Sequence, residues 1–219
     1  MKKSVFGMII PAVLAIGLAG CPTEGPGEET ISPATVTGAI TGSVFNKDGS
    51  ANNDDLTAAF TYIGYDDEHP ISGCTTGFAI NNGTITFTLE TPPSGWLESL
   101  SEMSSAGLSV SNSAASVFIF GYFSNSNRDD WFEDNLYLEK DEDHRASYWY
   151  VDRDVTIKGT LQGRDDDDED ALPYKYVYNL NLEKGWNSVL SGYSLSESTE
   201  TGTIESGKPD SSYKWVYYH

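Results

Sequence analysis

Residues 84–90 read Thr-Ile-Thr-Phe-Thr-Leu-Glu, and this stretch decides the fold class. Isoleucine, phenylalanine and leucine occupy alternate positions, so that they share one face of an extended strand. Residues 81–83, Asn-Asn-Gly, favour a tight turn with left-handed backbone conformations. The pattern therefore predicts an antiparallel hairpin that pairs residues 84–90 with residues 78–80.

Similar strand signals recur along most of the chain. Tyr174–Leu182 alternates in the same way and is followed by a turn at residues 183–185, which predicts a second hairpin with residues 186–193. Residues 117–123 are apolar on both faces, as expected for a strand buried from both sides. Further strands are predicted at residues 36–46, 56–65, 135–140, 146–151, 155–161 and 213–218.

Helical signals are sparse by comparison. Trp96, Leu97, Leu100 and Met103 have near-helical spacing after two prolines, which predicts one short helix over residues 96–103. The short predicted strands are separated by turn residues such as Gly, Asn and Asp. This pattern favours an all-β fold, an antiparallel β-sandwich. We expect this domain to cover residues 34–219, and two small β subdomains meeting near residues 125–133 are an alternative organisation.

The first 21 residues have the features of an export signal. Lys2 and Lys3 precede an apolar stretch, which ends in Leu-Ala-Gly-Cys at residues 18–21. The tetrad resembles the processing site of bacterial lipoproteins. The resemblance implies cleavage before Cys21 and transfer of diacylglycerol to its thiol. An ordinary secretory signal that happens to end near a cysteine is the alternative.

Lipidation at Cys21 would anchor the protein to a membrane of the cell envelope, because two or three acyl chains hold a protein effectively permanently. The leader itself is shorter than the roughly 20 apolar residues of a spanning helix. Residues 21–33, rich in Pro, Gly, Glu and Thr, are predicted to form a disordered tether. Pro22 stands where some bacteria place the aspartate that retains lipoproteins in the inner membrane, which favours the outer membrane.

The chain is strongly acidic. Its formal net charge is −20, and removal of residues 1–20, which hold two lysines and no acid, makes it −22. Nucleic-acid binding needs a basic face, and the sequence contains no basic stripe. The expected partners are therefore an envelope protein or a glycan.

Motifs that suggest catalysis are incomplete. Gly202, Gly207 and Lys208 fit part of a phosphate-binding loop, but Pro209 replaces the required Ser or Thr. Ser194 lies in Gly-Tyr-Ser-Leu-Ser, which lacks the closing glycine of a nucleophile elbow. We therefore expect a non-enzymatic binding or surface-scaffolding module.

Cys74 is the one cysteine that remains after lipidation of Cys21. It has no partner for an intrachain disulfide, and no nearby cation lowers its pKa. The sequence favours a small buried apolar side chain over a reactive thiol.

An acidic run separates two predicted strands. Calcium binding is one hypothesis for it, but successive residues of an extended loop point to alternate sides, so few of these carboxylates can share one ion. A solvated hairpin tip is the preferred interpretation. The run consists of Asp165, Asp166, Asp167, Asp168, Glu169 and Asp170.

Two further acidic segments each end in a histidine, at residues 66–69 and 141–144. If both loops lay at one end of the sandwich, His69, His144 and one or two acids could bind zinc or another divalent ion. Their spacing matches no defined metal motif, so two ordinary acidic turns are the favoured interpretation.

Aromatic residues are abundant in two predicted strands, around Trp149 and Trp215. Aromatic faces beside Asp and Asn suit a sugar-binding surface, so both tryptophans are candidate ligand-binding residues. Aromatic side chains also fill β-sandwich cores, and that interpretation is the stronger one. The runner-up function is therefore a carbohydrate- or calcium-binding accessory domain, and an enzyme of unknown type comes third.

Residues 40–60 carry a weak family resemblance. Gly42 in a strand, the turn Asp48-Gly49 and a second strand resemble the opening of transthyretin-like modules that accompany carboxypeptidases and outer-membrane receptors. Segments such as Leu-Glu-Lys-Gly-Trp-Asn at residues 182–187 are similar to those of uncharacterised bacterial lipoproteins, which implies no activity.

Overall fold

A computed structural model describes residues 31–52, 60–63, 68–125, 135–164, 172–196 and 198–218. Strands account for most of these residues, and the one α-helix among them is α1, Ser101–Ser105. The predicted all-β class is therefore confirmed. No helix in these ranges has the length and apolar character needed to cross a bilayer.

The strands are numbered in chain order. Their bounds are β1 Ala39–Asn46, β2 Phe60–Ile63, β3 Glu68–Pro70, β4 Thr75–Asn81, β5 Thr84–Leu89, β6 Glu98–Ser99, β7 Ser109–Val110, β8 Ser116–Phe120, β9 Phe123–Asn125, β10 Asn135–Asp141, β11 His144–Val151, β12 Val155–Gly163, β13 Tyr174–Leu182, β14 Gly185–Leu195, β15 Glu200–Ser206 and β16 Lys214–Tyr218.

These strands join in one large sheet. Its longest path has the order β4-β5-β1-β16-β10-β11-β14-β15-β13-β12-β7, and β2, β3, β6, β8 and β9 pair beside that path. β1 with β16 and β13 with β15 are parallel pairs, while the other pairs are antiparallel. The sheet is therefore mixed, since it contains both parallel and antiparallel pairs. Each parallel pair joins strands that are not neighbours in sequence.

The predicted hairpin of β4 and β5 is confirmed. Asn81 lies opposite Thr84, and the two turn residues, Asn82 and Gly83, have φ angles of 47° and 68°. Left-handed conformations at both positions are what the Asn-Gly turn favours. Ile85 and Phe87 of β5 are buried and Leu89 is partly buried in the same core, so the face assignment is also confirmed.

The second predicted hairpin is wrong in its pairing. β13 and β14 are joined by a short turn, but β15 lies between them. Tyr176 of β13 lies opposite Gly202 of β15, and Ser191 of β14 lies opposite Ile204. β15 reads Glu-Thr-Gly-Thr-Ile-Glu-Ser and has one large apolar residue, so its sequence gives little sign that it fills this position.

The one short helix that the sequence predicts is present, but it does not extend over residues 96–100. Ser94–Trp96 forms a single 3₁₀ turn, Glu98–Ser99 then pairs as β6 with β8, and α1 starts only at Ser101. The near-helical spacing arises from other packing, since the Trp96 ring stacks on His69 with centroids 4.3 Å apart. Pairing with β8 has replaced the helical hydrogen bonds.

Buried side chains form two cores. The first core packs β1, β4 and β5 against β8, β9, β10, β11, β14 and β16, with the Phe87 ring contacting Phe120, Phe123 and Trp215. The second core lies among α1, β8, β11, β12, β13, β14 and β15. Strands β8, β11 and β14 contribute to both.

β11 shows how one strand serves both cores. Tyr148 and Tyr150 point into the first core, while Trp149 and Val151 point into the second. The neighbouring β8 does the same, which confirms the prediction of a strand buried on both faces, although this strand ends at Phe120 and the chain pairs again as β9. The predicted subdivision near residues 125–133 falls largely outside the described residues and stays a prediction.

Candidate functional site

A cleft opens where β1 separates from β16. β1 pairs with β5 from Ala39 to Ser43, but it pairs with β16 only from Val44, opposite Trp215, to Asn46. Upstream of β16 the chain turns, with the backbone N–H of Tyr213 donating to the carbonyl of Asp210 at 3.1 Å. The cleft has a volume of about 370 Å³ and is lined by Ile40, Thr41, Gly42, Ser43, Phe45, Leu138, Tyr148, Pro209, Asp210, Ser211, Tyr213, Lys214 and Trp215.

Within the part of the chain that the structure describes, the first half of β1 has a free backbone edge on this side. The N–H of Val44 donates to the carbonyl of Gly83 at 2.8 Å, so the peptide groups of Val44 face β5. Backbone groups alternate in direction along a strand, so those of Gly42 also face β5, whereas those of Thr41 face the cleft. The only described strand that pairs with β1 at Thr41 is β5, since β16 pairs with β1 from Val44 onward.

Two buried aromatic side chains with polar atoms line the cleft. Trp215 is 3 % exposed, and a Cβ at Gly42 would lie 2.6 Å from its Cδ1, so only glycine leaves room for the indole. Tyr148 is 5 % exposed, and burial raises the pKa of its phenol. Neither the indole N–H nor this hydroxyl has a hydrogen-bond partner among the described residues. Both are available to a ligand in the cleft.

The rim of the cleft is acidic beside Tyr213. Asp210 accepts hydrogen bonds from the hydroxyl and the backbone N–H of Ser212, and these hold the pKa of Asp210 below its usual range. The pKa of Tyr213 is raised by burial and further by the carboxylates of Asp210, Asp141 and Glu205. A phenol surrounded in this way marks a region that favours positive charge.

The predicted ligand-binding tryptophans have different positions. Trp149 is 1 % exposed, lies in the second core, and donates its indole N–H to the hydroxyl of Ser147 at 3.0 Å. With Tyr148 and Tyr150 also buried, β11 presents no aromatic platform to solvent. Trp215 lines the cleft, so it alone of the two can contact a ligand there.

A second polar cluster lies on β10, β11 and β16. Tyr218 donates its hydroxyl to Oε1 of Glu139 at 2.7 Å, while Nε of Arg145 lies 3.5 Å from Oε2 of the same carboxylate. The Arg145 guanidinium also lies over the Tyr137 ring, 4.1 Å from its centroid. Burial raises the pKa of Glu139, although Tyr218 and Arg145 oppose the shift. A carboxylate enclosed by protein groups is suited to holding strands together rather than to contacting a substrate.

The two histidines that end the acidic segments, His69 and His144, do not come together. His144 Nδ1 lies 2.7 Å from Oδ1 of Asp141 in the turn between β10 and β11. His69 packs against Phe118, which lies opposite Tyr150 on β11. Six residues of strand separate Tyr150 from His144, roughly 20 Å. The two-histidine metal site is therefore wrong, and the described residues contain no group of three His, Cys, Asp or Glu that could hold a metal ion.

The acidic run at residues 165–170 lies outside the described residues. The strands on either side of it, β12 and β13, pair as a hairpin that closes with Gly163 opposite Tyr174. Calcium binding and a solvated tip both stay predictions. Cys21 likewise lies outside the described residues, and so does the rest of the leader.

Cys74 matches its prediction. Its side chain is fully buried in the first core, and burial raises the pKa of the thiol to about 12. A thiol with that pKa is almost entirely protonated at neutral pH, so it is a poor nucleophile.

The incomplete catalytic motifs also fit their sequence interpretation. Gly202 lies within strand β15 and Ser194 within β14. A phosphate-binding loop needs a glycine-rich turn before a helix, and a nucleophile elbow needs a turn from strand to helix. Neither arrangement exists at these residues.

Sequence reasoning missed the free edge of β1 and the position of Tyr148 in the lining of the cleft. One signal was present, since Gly42 interrupts an otherwise regular strand, and glycine in a strand marks the close approach of another group. The edge itself depends on where β16 separates from β1, and these two strands are far apart in sequence.

Comparison of the chain with protein-family models, with curated proteins and with solved structures finds no match.

Proposed function

We propose that this chain is a non-enzymatic, lipid-anchored binding module of the cell envelope, attached to the outer membrane through Cys21, and that it binds its partner in the cleft beside β1. The observation that carries the proposal is the combination of a free strand edge with two unpartnered polar groups, on Trp215 and Tyr148, in one cleft. Neither polar atom is among the buried side-chain atoms of the described residues that lack a partner, so both are accessible from the cleft and can bond a ligand there.

The chemistry of the cleft supports binding more than catalysis. Asp210 is its one carboxylate, and hydrogen bonds from Ser212 hold the pKa of that group low. A general acid at neutral pH needs the opposite shift. The hydroxyl and indole groups of the cleft can orient a ligand without any proton transfer.

The anchor rests on the sequence at residues 18–21. Replacement of Cys21 by Ala removes the acyl acceptor, so metabolic labelling with a palmitate analogue is expected to label the wild-type chain and not Cys21→Ala. Wild-type chain with its signal intact and no label would refute the anchor. A Cys21→Ala chain that still takes up label would place the acyl group elsewhere.

Binding in the cleft can be tested through Trp215. The full chain, labelled with 5-fluorotryptophan and kept in detergent, gives one fluorine resonance per tryptophan, and Trp215→Phe identifies the one that reports on the cleft. Two sets of probes are added, random seven-residue peptides and soluble oligosaccharides. We expect one set to shift the Trp215 resonance.

The glycan alternative is tested by the same measurement, because Trp215 lines the cleft. A shift with oligosaccharides alone would make the protein a carbohydrate-binding accessory domain. If neither set of probes moves the resonance, the cleft is not a binding site and the proposal fails.

A further inference from the structure

We infer that the partner is an extended peptide segment of another protein, which adds to the free edge of β1 as a further strand. The inference rests on the proposed function of the cleft as a binding site, and it names the class of ligand. Strand addition uses backbone hydrogen bonds for affinity and pockets for alternate side chains for specificity.

The edge of β1 lacks the protection that strand edges normally carry. Natural proteins block such edges with charges, proline, bulges or very short strands. Residues 39–43 read Ala-Ile-Thr-Gly-Ser, with no charge and no proline. At the two ends of the sheet path, by contrast, β4 is interrupted by a bulge between Thr76 and Ala79, and β7 has two residues.

The cleft supplies a pocket for one side chain of the added strand. Its volume of about 370 Å³ is larger than one side chain needs, so the flanking backbone of the peptide also fits. The Trp215 N–H can donate to a ligand, and the Tyr148 hydroxyl can donate or accept. A side chain that carries an oxygen, such as Tyr, Asn or Gln, satisfies both groups.

Charge selects among peptides. The chain has a formal net charge of −20, and the carboxylates of Asp210, Asp141 and Glu205 act on Tyr213 at the rim. An acidic segment is repelled by this field, whereas a Lys or Arg next to the pocket residue is attracted. The expected partner sequence is therefore an alternating segment with a basic residue.

A sugar fits these observations less well than a peptide. Stacking on a sugar needs an exposed aromatic face, but the rings of Trp215 and Tyr148 are almost completely buried. The most accessible binding groups of the cleft belong to the backbone around Thr41, and a backbone edge is complementary to another strand.

The test compares two substitutions at one residue. The N–H of Thr41 faces away from β5, so Thr41→Pro removes a donor from the cleft without removing a hydrogen bond between β1 and β5. Thr41→Val is the matched control, because it keeps the N–H and the β-branched shape. A phage library of random seven-residue peptides is selected on the full chain in detergent, and the Kd of the enriched peptide is measured on each variant.

We expect enriched peptides to alternate apolar and polar residues and to carry Lys or Arg. Thr41→Pro should weaken binding about tenfold, which is the upper end of what one backbone hydrogen bond contributes. Thr41→Val should bind within about threefold of the wild type. Equal affinity for wild type and Thr41→Pro would overturn the inference.

A second measurement covers the case in which Thr41→Pro does not fold, as judged by its melting curve. The enriched peptide is then made with N-methyl groups on alternate backbone amides, in the two possible registers. One register should abolish binding to the wild type and the other should leave it unchanged. Equal effects of both registers would overturn strand addition. If no peptide is enriched while oligosaccharides shift the Trp215 resonance, the inference fails and the proposed function stands.

Discussion

β15 and the first half of β1 share a strand glycine covered by an aromatic ring, but they differ in how many of their edges are paired. Each is a short polar strand with a central glycine covered by an aromatic ring. A Cβ at Gly202 would lie 2.5 Å from Cδ1 of Tyr176, and one at Gly42 would lie 2.6 Å from Cδ1 of Trp215. β15 is paired on both edges, by β13 and β14, whereas residues 39–43 are paired on one edge, by β5.

A strand glycine covered by an aromatic ring can therefore contribute to stability at one position and to binding at another. With both edges paired, the glycine of β15 lets the Tyr176 ring lie over the neighbouring strand, where its hydroxyl donates to Glu200. With one edge open, the glycine of β1 lets Trp215 lie against the strand while its polar atom stays available to the cleft. The second pairing partner, rather than the sequence of the strand, decides between the two roles.

The largest expected effect comes from adding one methyl group to each glycine. Gly202→Ala should lower the free energy of unfolding by about 3 kcal/mol, because the new Cβ also meets the carbonyl oxygen of Gly192 at 3.1 Å, on backbone that is paired with β15. Gly42→Ala should cost about 1 kcal/mol, because the three nearest neighbours of the new Cβ are all side-chain atoms of Trp215 and none belongs to the backbone. Urea unfolding of both variants measures the two values.

Gly42→Ala and Gly202→Ala are matched controls for each other, because both substitutions add one methyl group. Gly42→Ala should also weaken ligand binding in the cleft, while a variant of Gly202 that still folds should not. An equal loss of stability in both variants would show that the two strands are equally constrained.

We expect a smaller effect from removing the side chain of Ser206, which hydrogen-bonds β15 to β13. The hydroxyl of Ser206 accepts from the N–H of Asn181 at 2.8 Å and donates to its carbonyl at 2.9 Å. Ser206→Ala leaves both backbone groups of β13 without this partner, so we expect a loss of about 1–3 kcal/mol. Ser43→Ala, on the exposed side of β1, should change stability by less than about 0.5 kcal/mol.

Chemical denaturation of the serine pair gives the answer directly. If Ser43→Ala and Ser206→Ala lower the free energy of unfolding equally, the edge of β1 has a further partner. The contrast between the two strands would then be wrong.

The smallest effect concerns the polar side of β10 and β16. Burial raises the pKa of Glu139 in the folded state above 4.5, its ordinary value, so the folded chain binds this proton more tightly than the unfolded chain. The contribution of Glu139 to stability is therefore full below about pH 4.5 and is lost as pH rises through the folded-state pKa. The stability of the wild type relative to Glu139→Gln should fall as pH increases from 4 to 7.

Melting curves at several pH values measure that difference. Glu102→Gln is a suitable control, because Glu102 lies exposed on α1. An advantage of the wild type that grows with pH would mean that the Arg145 charge outweighs burial at this carboxylate.

Local patterns predicted the parts of the fold that depend on neighbours in sequence. The Asn-Asn-Gly turn fixes the register of β4 and β5, and the alternating tyrosines and leucines of Tyr174–Leu182 match the bounds of β13. The predicted helix does not extend over residues 96–100 because the pairing of β6 with β8 outweighed a short apolar spacing.

The candidate site depended on contacts that local patterns do not encode. The cleft exists because β16 pairs in parallel with the second half of β1 and then separates from it, and β15 enters between two strands that the sequence would pair directly. Trp215 was named as a ligand-binding candidate from composition, but the reason that it faces a cleft lies in Gly42, far away in sequence.

Amide hydrogen exchange of the full chain, read residue by residue by NMR, tests the central claim most directly. We expect the amide of Thr41 to exchange about a hundredfold or more faster than that of Gly42, because only the amide of Gly42 donates to β5. In β15, by contrast, the amides of Thr203 and Ile204 should both be protected. Protection of Thr41 equal to that of Gly42 would contradict the account, since it would show that the edge of β1 is already closed.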